Sequence, residues 1–201
     1  MPNDVYVIGT DMIRFGRFEN ATPPSLAAQA TLLALDDAGL GIKDIQAIYS
    51  GNCGETMVGQ RMLQLIGQTG VPVVNVTNAC ATGATAFREA WVAIKAGLYD
   101  VTLAVGSEKM GKGMLVRKNT AGEEVPSEGL IGSGTMPAVF AQMGSEHTRK
   151  YGTTAEQFAR VSVKNHHHST LNPKSMYQKE TPLEEVPGSE MIAYPNTKLM
   201  C

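Results

Sequence analysis

The chain is 201 residues long, 43% hydrophobic and 18% charged, with a formal net charge of −2. This balance gives no bulk electrostatic case for nucleic acid or an anionic membrane as a partner, and no apolar stretch reaches the length of a membrane span. The three cysteines, Cys53, Cys80 and Cys201, follow no regular spacing, which argues against a disulfide framework and for a reducing compartment. The first residues lack the basic and apolar parts of a signal peptide and the last are not a peroxisomal address, so the expected location is cytoplasmic.

In chain order, residues 5–9 (Val-Tyr-Val-Ile-Gly) read as a short strand, and residues 12–18 as a loop. Pro23 and Pro24 precede Ser25, a residue able to cap, and residues 26–38 are a helix rich in Ala and Leu that Gly39 ends. Residues 45–50 are the next strand, and Gly51-Asn52-Cys53-Gly54 is the loop at its C-terminal end, the edge at which open α/β sheets carry ligands. A short helix over residues 60–67 follows. The β-branched run 73–76 predicts a strand buried on both faces. From Ala84 the period changes: Ala84, Phe87, Trp91 and Ile94 form a helical stripe, and Gly97 stops it. Residues 101–105 are apolar again. Strand and helix alternate throughout, which predicts a mainly parallel sheet with helices on both faces and right-handed crossovers.

After Met110 the texture changes, dividing the chain into residues 1–109 and 110–201. Gly111-Lys112-Gly113 and Gly132-Ser133-Gly134 bracket a polar segment, without the spacing of a phosphate-binding loop. Residues 136–151 predict a helix with Val139, Phe140, Met143 and His147 on one face. Thr153 and Glu156 have the spacing of a capping box for a further helix to about residue 168. Consecutive His166, His167 and His168 point about 100° apart and do not converge on a metal; a polar helix C-terminus suits them better. Residues 171–201, with Pro173, Pro182, Pro187 and Pro195, predict extended chain poor in helix.

Cys80 falls where a strand ends and a helix begins. A helix N-terminus has free N–H groups and a partial positive charge, which favour a thiolate and hold the oxyanion formed when it attacks a carbonyl. Ala79, Ala81, Gly83 and Ala84 are small, so a substrate or another backbone can come close. The alternative is that Cys80 is a buried packing residue.

Asn78-Ala79-Cys80-Ala81-Thr82-Gly83-Ala84, with Gly106-Ser107-Glu108-Lys109-Met110 after the next strand, resembles the nucleophile region of the thiolases, in the sterol carrier protein x-type or lipid-transfer-protein-like subgroup. Glu146-His147, Lys150-Tyr151-Gly152-Thr153, Lys164-Asn165-His166 and Asn172-Pro173 resemble the subgroup's loop region, and residues 195–201 resemble the approach to its next strand. The resemblance implies a five-stranded-type sheet in an N-terminal half without its last strand, followed by a helical, then extended loop region. It implies Cys80 as the nucleophile, with its own backbone N–H as a candidate oxyanion donor. It also implies coenzyme A thioesters as substrates, no bound cofactor, and a dimer or tetramer. Cys53 lies outside the nucleophile motif and is read as a small buried or interface residue rather than a second catalytic thiol. No residues are assigned to coenzyme A.

The family's activating histidine lies in a Gly-His-Pro type motif and its second cysteine in a Cys-X-Gly motif. None of His147, His166, His167, His168 or Cys201 stands in either. The chain is therefore expected to be the N-terminal half of a thiolase-type acyltransferase and incompetent alone, with a complementary C-terminal half as partner. Two alternatives remain. One is a retro-aldolase of the lipid-transfer-protein-like group working with an OB-fold partner, a group that generally lacks the nucleophilic cysteine. The other is a non-catalytic half-subunit with a role in assembly.

Overall fold

The computed structural model describes residues 4–110 and 135–201. These form two compact units, Met1–Lys109 and Met110–Cys201. The glycine-bracketed segments at 111–113 and 132–134 lie outside the described residues.

The first unit is a parallel three-stranded sheet. Its centre is β1 (Ala47–Gly51), with β2 (Val73–Val76) on one side and β3 (Thr102–Gly106) on the other. Ile48 is level with Val73 and Leu103, and Gly51 with Val76 and Gly106. Every residue of β1 is buried. Its side chains alternate between the faces. Ile48 enters a core with Ala27, Ala28 and Leu35 of α1 (Pro23–Ala38), Met62 and Leu63 of α2 (Val58–Ile66), and Leu103 and Val105 of β3. Ala47 and Tyr49 face Ala86, Ala90 and Ala93 of α3 (Thr82–Lys95). Helices thus cover both faces, as the alternation predicts. Ile48 and Met62 are fully buried, each contributing about 1.5–3 kcal/mol by leaving water.

Several expectations change. Residues 5–9 are not a strand: Tyr6, Val7 and Ile8 are exposed, and the segment joins no sheet among the described residues. An apolar run becomes a strand only with a ladder partner for its N–H and C=O groups. Among the described residues β2 is an edge strand, with Val74 and Asn75 exposed, not a strand buried on both faces. A short apolar run cannot by itself tell centre from edge. The buried stripe of α3 is alanine, while Phe87 and Trp91 face outward. Small side chains let the helix lie close on the sheet. At α1 the cap is Thr22 rather than Ser25: Ser25 N–H donates to Thr22 Oγ1 at 3.4 Å and Thr22 N–H donates to Ser25 Oγ at 2.9 Å. Gly39 ends this helix in the left-handed region at φ 66°.

The second unit holds α4 (Met136–Tyr151) and α5 (Ala155–Thr170). Gly152, at φ 73°, turns the chain between them. The capping box of α5 is Thr154 with Gln157, one residue later than Thr153 with Glu156. Glu156 instead pairs with Arg160, four residues on. The proline-rich tail is mostly irregular, as expected, but includes a one-turn helix, α6 (Glu185–Gly188), and an antiparallel pair, β4 (Met191–Ala193) with β5 (Asn196–Thr197). Fully buried Val186 anchors it, its carbonyl accepting from Thr197 Oγ1 at 2.7 Å.

Candidate active site

All three strands of the first unit run the same way, so Gly51, Val76 and Gly106 end on one edge. The loops leaving that edge are tied together by side chains. Thr77 Oγ1 donates to the carbonyl of Asn52 at 2.6 Å. The Asn52 amide donates to the Ser107 carbonyl at 2.6 Å and to Glu108 Oε1 at 3.3 Å. Asn52 Oδ1 accepts from the N–H groups of Gly54 and Glu55. Glu108 Oε2 accepts from the Cys53 N–H at 2.8 Å. A buried asparagine therefore welds the ends of β1 and β3, and Glu108 stitches down the loop that carries Cys53.

Cys80 sits in a single 3₁₀ turn, Ala79–Ala81, directly before α3. In this chain Cys80 is exposed, where the packing alternative expects it buried. No side chain caps α3; the Thr82 N–H donates instead to the Ala79 carbonyl of the Cys80 turn. The preceding Ala79 has φ 44°, a left-handed conformation that costs a non-glycine residue about 1–2 kcal/mol. Short bonds hold it there. Asn78 N–H donates to Thr82 Oγ1 at 2.7 Å, Thr82 Oγ1 donates to the Ala79 carbonyl at 2.7 Å, and Ala81 N–H donates to the Asn78 carbonyl at 2.9 Å.

Glycine matters at one position here. A Cβ on Gly51 would lie 2.8 Å from Thr82 Cγ2, so β1 ends against the start of α3 only because Gly51 lacks one. A Cβ on Gly83 would meet nothing within 4 Å, which leaves that side of the helix start open.

Of the two places expected for Cys53, buried or at an interface, the buried one does not hold: it is exposed, and its sulfur touches the Cys80 turn, 3.2 Å from the Ala79 carbonyl and 3.0 Å from Thr82 Oγ1. Asn52, Thr77 and the hydroxyl of Thr82 are residues of this edge that sequence reasoning missed; the available signal was that Asn52 and Thr77 directly follow adjacent strands and Thr82 opens the next helix. The histidines belong to the second unit. His147 Nδ1 is 2.8 Å from Thr153 Oγ1, and His167 Nδ1 is 2.7 Å from Glu180 Oε1. Among the described residues no three His, Cys, Asp or Glu side chains gather as a metal-binding group, and no helix is long and apolar enough to cross a membrane.

Residues 5–191 match the family described as thiolase, N-terminal domain. The chain belongs to the thiolase family. Sterol carrier protein 2 of Gallus gallus is 38% identical over all of this thiolase chain, which spans 39% of that protein. The acetyl-CoA acetyltransferase of Methanothermobacter thermautotrophicus is 33% identical over 98% of the chain and 53% of that enzyme. The thiolase chain thus spans between two fifths and about half of these relatives' length. Among solved structures, the Ltp2-ChsH2(DUF35) aldolase superposes with a TM-score of 0.77 at 23% identity, over 96% of this chain and 51% of that one. Human mitochondrial 3-ketoacyl-CoA thiolase in complex with CoA gives 0.68 at 15% identity, over 95% and 58%. At these identities the structures establish a common fold.

Proposed function

We propose that this chain carries the nucleophilic half of a thiolase-type acyltransferase acting on acyl-CoA thioesters. In the first half-reaction the Cys80 thiolate adds to the thioester carbonyl. The tetrahedral oxyanion collapses, the C–S bond to coenzyme A breaks, the coenzyme leaves as its thiolate and takes up a proton, and the acyl group stays on Cys80. The Cys80 N–H is the candidate oxyanion donor. The exposed Cys80 thiol in its braced turn, immediately before an uncapped helix start, is the observation that supports this reading most. Coenzyme A is the substrate carrier in this reading and no resident cofactor is needed. Claisen condensation or thiolysis then belongs to the whole enzyme, which we place in the cytoplasm as a homo-oligomer with a complementary C-terminal half.

The test is mass spectrometry after incubation with acetyl-CoA. One acetyl group mapped to Cys80, and lost in Cys80→Ala, is the expected outcome. Acetylation of Cys53 instead, with Cys80 unmodified, overturns the assignment. A retro-aldolase working with an OB-fold partner is the second reading, since one of the superposed structures is named as an aldolase. Acyl transfer onto Cys80 separates the two, because carbon–carbon cleavage by retro-aldol chemistry passes through no acyl-cysteine.

A further inference from the structure

We infer that Thr82 is the positioning residue of the Cys80 turn, with the Cys53 thiol as its third arm; this rests on the reading of Cys80 as nucleophile. The Thr82 side chain is buried beneath the turn, and its oxygen meets three partners at once: Asn78 N–H at 2.7 Å, the Ala79 carbonyl at 2.7 Å and the Cys53 sulfur at 3.0 Å. A hydroxyl has one proton and two acceptor sites. The proton goes to the Ala79 carbonyl, and the Asn78 N–H takes one acceptor site. At the third contact the sulfur must therefore donate, and its S–H is shared between Thr82 Oγ1 and the Ala79 carbonyl 3.2 Å away. The hydrogen-bonding capacity of Thr82 is then full.

This arrangement bridges both sides of Ala79. One bond fixes the N–H before it and another fixes its own carbonyl, so the left-handed conformation at φ 44° is locked from either end. Cys80 is the next residue, and the direction in which its N–H and side chain leave follows from that conformation. The methyl of Thr82 sets the same turn against the sheet, since it occupies the space a Cβ on Gly51 would need. Thr82 thus fixes the distance of Cys80 from β1 as well as the direction of its N–H. Cys53, in turn, is held by Glu108 through its backbone and spends its thiol proton on the turn. Its role is to support the nucleophile rather than to be a second one.

The experiment compares acylation of Cys80 with its plain alkylation. Acylation by p-nitrophenyl acetate and by acetyl-CoA needs the thiol and the oxyanion donor in register. Alkylation by iodoacetamide needs only an accessible thiol. In the full chain, with folding checked by circular dichroism and thermal melting, Thr82→Val should lower acylation by about 10²-fold, the effect of a misplacement near 1 Å. Alkylation of Cys80 should change severalfold at most, and Thr82→Ser, which keeps the hydroxyl but lacks the methyl, should recover part of the lost acylation. Cys53→Ala should lower acylation by less, with Cys53→Ser as its rescue. This second pair leaves the helix start untouched and carries the test if Thr82→Val does not fold. Acylation in either disrupting variant equal to that of the wild type overturns the inference alone. Absence of acylation in the wild type overturns the nucleophile reading and the inference with it.

Discussion

Cys80 and Cys53 are both exposed thiols on one sheet edge, yet their surroundings divide the work. The Cys53 proton is engaged by Thr82 and the Ala79 carbonyl, and its backbone is tied to Glu108. Iodoacetamide should therefore label Cys80 before Cys53 in the folded chain, as time-resolved peptide mapping will show; the reverse order would contradict the division. Cys80 was legible because its neighbours alternate from strand to helix period around it. Cys53 was not, because its role depends on adjacency between parallel strands, which leaves no local pattern. Tyr49 of β1, packed against the alanines of α3, is a titratable residue in the core. Burial pushes the Tyr49 hydroxyl up from its ordinary value of about 10, with Tyr99 and Glu89 adding to the shift. A raised pKa in the fold means that the protonated phenol is favoured there. The corresponding stability is complete below the unfolded value and is lost as pH rises through the folded one. Tyr49→Phe, having no proton to lose, should show a shallower fall in urea midpoint between about pH 8 and about pH 11 than the wild type. Parallel alkaline profiles would remove Tyr49 from the account.

At the scale of elements, α3 shows how spacing can be right and orientation wrong. Its helical period is plain, but two stripes share it, one of alanines and one of aromatics. Hydrophobicity alone favours the aromatics. The sheet takes the alanines: β1 already brings Tyr49 to that interface, and small side chains on the helix leave room for it. Ala90→Leu should then overpack the interface and cost about 1–3 kcal/mol, while Trp91→Ala on the outer face should cost this chain far less. Chemical denaturation of both variants checks the assignment, and a larger loss at Trp91 would reverse it. The strand error at residues 5–9 has a similar origin. Composition marks a segment as able to pair, but only a neighbour supplies the ladder. Helix extents were legible to within a few residues, as in α4, expected and found over Met136–Tyr151, although the capping residues of α1 and α5 were not. At α5 the choice between adjacent threonines, Thr153 and Thr154, turned on backbone geometry rather than residue type.

Across the whole molecule the chemistry is unevenly distributed. Cys80, the proposed nucleophile, belongs to the first unit, whereas all four histidines belong to the second. Acid–base assistance contributes about 10²- to 10⁴-fold, and no side chain is assigned to supply it for carbon–carbon bond formation. Residues 1–201 alone should therefore acylate slowly on Cys80 but show no steady-state thiolysis or acetoacetyl-CoA formation. Robust turnover by the purified chain would mean that one of its own residues serves as the base. The strand order β2-β1-β3 also bears on how the site comes into being. Ile48 pairs with Val73, but Ala47 pairs with Thr102, closing a loop roughly twice as long at an added entropic cost of about 0.6 kcal/mol. The nearer pairing, β1 with β2, is favoured to form first and can seat the Cys80 turn beside Cys53. The Glu108 and Ser107 contacts must wait for β3, because both residues follow it in the chain. In a nascent chain emerging from its N-terminus, the two thiols would meet before their carboxylate brace has been made, so the nucleophile's surroundings mature last.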